Sequence, residues 1–131
     1  MIGLDTSVLV RYVMQDDPRQ SPRATRLIEG LSADEPGFVP LVALVELVWV
    51  LSGSYGLDRK QIAAVLDTLL RSKELVIDRA ELVTQALHRH SAASADFADA
   101  LIERTAAAAG CSATMSFDAG AVKSAAMTLV P

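Results

Sequence analysis

The chain has 131 residues, 51% of them hydrophobic, and carries 12 basic against 16 acidic residues for a formal net charge of −4. That composition excludes a disordered chain and the broad basic footprint of a duplex DNA-binding module. It leaves open a nuclease whose metal ions supply the positive charge at a phosphate.

The single cysteine, Cys111, excludes an intramolecular disulfide and fits a reducing, cytoplasmic setting. Residues 1–5 lack the basic and apolar regions of a signal peptide. The longest apolar stretch, residues 38–51, contains Pro40 and Glu46. It is shorter than the roughly 20 residues a membrane span needs, so buried core is expected and no membrane association. No repeat, low-complexity tract or linker divides the chain, and one domain over residues 1–131 is expected.

Short apolar runs alternate with helical ones, the pattern of an α/β fold with a parallel sheet. Residues 2–5 predict a first strand. Asp5, Thr6 and Ser7 offer capping oxygens to a short helix over 8–14, broken at Asp16-Asp17-Pro18. Pro22 suits the first turn of a second helix to about residue 31. Phe38-Val39 is a short strand closed by Pro40. The helix over 41–54 is apolar almost all round, which predicts cover on more than one face. Asp58 with Gln61 forms a capping box for a helix over 59–71. Leu75-Val76-Ile77 is a strand. Helices over 80–90 and 95–109 follow, the latter ended by Gly110 as a C′ glycine. Residues 113–117 predict the last strong strand, 119–125 a short helix and 127–130 an edge strand.

Four carboxylates stand out against this layout. Asp5, Glu46 and Asp99 sit among apolar neighbours, and Asp118 directly follows an apolar strand. Isolated carboxylates are costly to bury, and clustered ones repel unless a cation sits among them. Hard divalent cations prefer such oxygen ligands. In open parallel sheets ligands bind beyond the carboxyl ends of strands, where Asp5 and Asp118 fall. The competing roles are an N-cap for Asp5 and Asp96, a turn residue for Asp118 and an arginine salt bridge for Glu46. Thr6, Ser7 and Ser116 place hydroxyls beside Asp5 and Asp118, for turn chemistry or to orient ligating carboxylates. His88 and His90 lack further zinc ligands and are expected in solvent. Cys111 is expected to be a buried small apolar residue.

These residues also carry a resemblance. Residues 2–10, residues 42–51, the run Asp96-Phe97-Ala98-Asp99-Ala100-Leu101-Ile102 and the run Thr114-Met115-Ser116-Phe117-Asp118 together resemble the PIN-domain ribonucleases, and closely the VapC-like toxins of toxin–antitoxin pairs. The resemblance covers essentially the whole chain in order. It implies a three-layer α/β/α sandwich with a short, mostly parallel central sheet. It implies an endoribonuclease in which Asp5, Glu46, Asp99 and Asp118 hold Mg²⁺, with Mn²⁺ as substitute, and Asp96 is an accessory acid. Asp5 and Asp99 would bind the metal directly, and Glu46 and Asp118 directly or through water. The nucleophile would be a metal-activated water. The partners implied are an RNA substrate, a small antitoxin over the active-site groove and a second copy of the chain as a homodimer. Ser7 stands where the family usually has Asn, so hydrogen bonding around Asp5 is expected to differ.

Arg11, Arg19, Arg23 and Arg26, on early helices, are candidates for RNA-phosphate contacts. The alternative class is a receiver-like or non-catalytic Mg²⁺-binding signalling or interaction domain. Asp78, after a strand, offers a phosphoacceptor for the receiver, but no Lys closely follows residues 113–117. A phosphatase of the D-x-D type fails because Ser7 stands at the second acid.

Overall fold

The computed structural model describes all of residues 1–131. The chain divides into two compact units, Met1–Ala80 and Glu81–Pro131.

The first unit contains β1 (Ile2–Gly3), α1 (Thr6–Met14), α2 (Gln20–Glu29), β2 (Gly37–Val39), α3 (Leu41–Gly53), α4 (Arg59–Arg71) and β3 (Leu75–Ile77). Its three strands form one parallel sheet in the order β1-β2-β3. Parallel neighbours need crossover connections, and the two helix pairs supply them. Gly37 sits where a Cβ would come within 2.8 Å of terminal side-chain carbons of both Leu4 and Leu31, so any larger residue would make these leucines shift. Leu9, Val39, Leu44, Leu47 and Leu51 are fully buried.

Helix α3 departs from expectation. It buries Ala43, Leu44, Leu47, Val48 and Leu51 but leaves Val42 74% and Trp49 66% exposed. Its first turn is capped from a distance. Pro40 at the N-cap has no side-chain oxygen to offer, and Asp78 Oδ2, just past β3, accepts from the Leu41 N–H at 3.1 Å. The capping box at Asp58 and Gln61 forms as expected, with both bonds at 2.9 Å.

The second unit contains most of α5 (Ala80–Ala93), then α6 (Phe97–Ala108), β4 (Met115–Ser116), α7 (Ala119–Ser124) and β5 (Thr128–Leu129). The strand expected over 113–117 shrinks to two residues, which pair in parallel with β5 as a separate ladder. Helix α5 runs past its expected end at residue 90 to Ala93 and stops at Ser94, whose φ of 57° is left-handed. Gly110, with φ 92°, ends the α6 region as expected. Two side chains differ from the sequence reading. His90 is buried, its Nδ1 3.0 Å from the Ala95 carbonyl, whereas His88 is exposed as expected. Cys111 is exposed rather than buried. Every strand pair is parallel, as the expected α/β class with a short parallel sheet requires.

The polar centre of this unit is Glu103 on α6, only 8% exposed. It accepts from Arg104 at 2.7 and 2.8 Å and pairs with Arg89 of α5 at 3.3 Å. Arg89 Nη1 also donates to the Ala125 carbonyl at 3.4 Å, past α7. Arg104, then Arg89, holds the Glu103 carboxyl below the usual range against the opposing effect of burial. A depressed carboxyl contributes stability above its unfolded pKa and loses it as pH falls through the folded value. Glu103→Gln should cost about 2 kcal/mol in chemical denaturation at pH 7, with the gap to wild type narrowing in acid. An unchanged midpoint at both pH values would refute this role.

Candidate metal centre

The first unit brings Asp5 and Glu46 to one place. Asp5 leaves β1 in extended conformation at the N-cap position of α1, yet its side chain caps nothing. Its Oδ2 instead accepts from the Ser7 hydroxyl at 3.0 Å. The N-cap role weighed for Asp5 is therefore not taken up, and Ser7 engages the carboxylate directly. Glu46 Oε1 accepts from the Thr6 hydroxyl at 2.8 Å. The apolar neighbours of Glu46 suggested burial, but it is exposed. It lies four residues after Val42 and three before Trp49, on the uncovered side of α3. No arginine pairs with it, so the salt-bridge alternative falls away. Asp5, Thr6, Pro40, Val42 and Glu46 line one shallow concavity of about 370 Å³.

The second unit gathers the other three acids. Asp96 is the N-cap of α6 and accepts from the Asp99 N–H at 3.0 Å, so its capping role is real. Asp118 caps α7 by accepting from the Gly120 N–H at 2.8 Å. Ser116 Oγ accepts from the Asp118 N–H at 2.9 Å and fixes the turn that presents it. Asp99, half-buried on the first turn of α6, is held above the ordinary aspartate range. Burial is the main cause, followed by the charges of Asp96 and Asp118. The helix N-terminus works in the opposite sense and does not overcome them.

The donors are carboxylate and hydroxyl oxygens, the set a hard divalent cation prefers. A cation at Asp99 would also relieve the repulsion that its neighbours impose. On donor chemistry the residues fit Mg²⁺ or Mn²⁺. Neither unit on its own groups three His, Cys, Asp or Glu side chains closely enough to hold a metal ion.

The four arginines separate. Arg11 is committed to protein partners: Gln20 Oε1 at 2.9 Å, Asp16 Oδ1 at 3.1 Å and the Tyr55 hydroxyl at 3.2 Å. Tyr55 in turn donates to Asp16 Oδ2 at 2.7 Å, and with Arg11 it holds the Asp16 carboxyl below the usual range. Arg19, Arg23 and Arg26 are exposed. Arg23 borders a concavity that also contains Ser7 and Gln20, and Arg19 and Arg26 do not line it. Gln20 and Tyr55 were not singled out from sequence. Tyr55 lies 44 residues from Arg11, and nothing in local pattern links the two. Asp78, the receiver-like candidate, has its carboxylate on the Leu41 N–H, the task of a helix cap.

No curated protein matches the chain. The PIN domain family matches residues 2–126, across both units. PIN domains are generally nucleases that use divalent metal ions, and the helices and short parallel strands seen here are consistent with their three-layer α/β/α fold. The chain belongs to the PIN domain family.

Proposed function

We propose that this chain is a metal-dependent endoribonuclease acting as the toxin of a toxin–antitoxin pair, a single PIN domain in which Asp5, Glu46, Asp99 and Asp118 together hold Mg²⁺ or Mn²⁺. The observation that carries the proposal is the all-oxygen donor set within a family match that spans both acidic groups. The toxin assignment rests on the resemblance of the four motif runs to VapC-like proteins. A bound divalent cation would acidify a water and neutralise charge at the scissile phosphate.

The chain's own residues have distinct tasks in this reading. Ser7 holds Asp5 in one rotamer, and Thr6 does the same for Glu46. Asp96 and Ser116 fix the backbone that presents Asp99 and Asp118. No side chain is required as a covalent nucleophile. Direct ligation by Asp5 and Asp99, with Glu46 and Asp118 direct or through water, is part of the proposal. So is a cytoplasmic location; no helix is long and apolar enough to cross a membrane. The exposed Val42 and Trp49 on α3 support self-association as a homodimer, since exposed apolar patches mark interfaces. A small antitoxin would compete with RNA for the carboxylate face.

Purified protein should cleave total RNA in Mg²⁺ or Mn²⁺, and EDTA or Asp5→Ala should abolish cleavage. Cleavage that survives either treatment would overturn the mechanism.

A second expectation follows from Asp99. A carboxyl raised above its unfolded pKa penalises the fold while ionised, and the penalty disappears as pH falls through the raised value. Asp99→Asn removes that charge and keeps the shape. In differential scanning at neutral pH without metal it should melt at or above wild type, and the difference should close in acid. Metal at 100 times its Kd should stabilise wild type by about 2.7 kcal/mol, and the variant should lose most of that gain. A variant that melts well below wild type without metal would make Asp99 a structural residue.

A further inference from the structure

Beside the Asp5–Glu46 concavity, the first unit has a second one between α1 and α2. It measures about 370 Å³ and is lined by Ser7, Val8, Arg11, Gln20, Arg23 and Leu27 among others. Ser7 belongs to both surroundings. It lines this cleft, and its hydroxyl donates to Asp5 Oδ2 at 3.0 Å. A polymer lying in the cleft therefore runs directly past the Asp5 carboxylate.

The two arginines of the cleft do different things. Arg11 is a fixed wall. Its side chain is 31% exposed, its Nε is bound to Gln20, and its Nη1 is shared between Asp16 and Tyr55. Asp16 neutralises its charge, so it offers little net attraction to an anion. Arg23 is exposed and has neither an ion-pair nor a hydrogen-bonding partner. It is the one arginine of the cleft whose charge and donors are uncommitted. Its planar donor fork suits two oxygens of one phosphate. The apolar floor from Val8 and Leu27 suits the sugar and base edges of a strand better than a free ion.

We propose that this cleft is a backbone-phosphate subsite for single-stranded RNA, with Arg23 as the ligand of a phosphate adjacent along the strand to the one held at Asp5. The assignment rests on the nuclease reading and deepens it by giving the path of the substrate. It narrows the four candidate arginines to one. Arg11 shapes the cleft, and Arg19 and Arg26 lie outside it. A single strand is favoured over a duplex because one free cation beside an acidic pocket on a chain of net charge −4 makes no duplex footprint.

The test compares Arg23→Ala with Arg26→Ala, two exposed positions one turn apart on α2. A fluorescein-labelled single-stranded RNA 12-mer is titrated by anisotropy in EDTA over a range of salt. Wild type and Arg26→Ala should bind alike. Arg23→Ala should bind several-fold more weakly, and its salt slope should fall by about 0.7, the value of one phosphate contact on a single strand. Arg23→Lys should recover most of the slope, since it keeps the charge and loses only the fork. In cleavage assays with Mn²⁺, Arg23→Ala should raise KM and leave kcat within about twofold, as expected for binding equal in ground and transition states. Equal losses in Arg23→Ala and Arg26→Ala, or no loss in either, would overturn the subsite and leave the nuclease standing. Absence of RNA binding by wild type in EDTA would overturn the subsite, and absence of cleavage by wild type in Mn²⁺ would overturn the nuclease reading as well.

Discussion

Carboxylates placed close together repel, and that repulsion is the constraint around which this chain is organised. In the second unit burial, and then the charges of Asp96 and Asp118, hold the Asp99 carboxyl above its ordinary range. A fold gains nothing from such a grouping in isolation. Asp96 and Asp118 partly offset the cost by capping α6 and α7, but Asp99 caps nothing in the structure. A divalent cation bound there would turn that repulsion into attraction.

The scaffold holds the acids by short-range devices. Asp5 leaves the end of β1, and hydroxyls one and two residues later fix Glu46 and Asp5. Asp99 and Asp118 each sit at a helix start set by a neighbouring side chain. Of these supports only the Thr6–Glu46 bond joins distant parts of the chain, α1 and α3, 40 residues apart. The stabilising centres lie elsewhere, in the leucine core of the first unit and in the Glu103–Arg89–Arg104 group of the second. Changes to the acids should therefore move metal affinity and activity more than they move the fold.

Much of this was legible in the sequence wherever the signal was local. The capping box at Asp58 placed α4, three consecutive apolar residues placed β3, and Gly110 marked the end of α6. The hydroxyls of Ser7 and Ser116 were legible beside Asp5 and Asp118, and in the structure they bond the Asp5 carboxylate and the Asp118 N–H. Sequence reading failed where the answer depended on which face a neighbour covers. Apolar neighbours suggested burial for Glu46, yet Val42 and Trp49 leave that side of α3 open. His90 found a carbonyl to bond and went inside, while Cys111 stayed outside. The Arg11–Asp16–Tyr55 group was invisible because its members meet only after folding. That group separates a structural arginine from a free one, a distinction composition cannot make.

The proposal on which the account depends is that Asp5, Glu46, Asp99 and Asp118 are ligands of a divalent cation. Mn²⁺ binding followed by electron paramagnetic resonance tests it directly, with Glu46→Gln from the first unit and Asp118→Asn from the second. The account predicts Mn²⁺ binding in wild type that each substitution weakens. Mn²⁺ binding left unchanged by either substitution would contradict it.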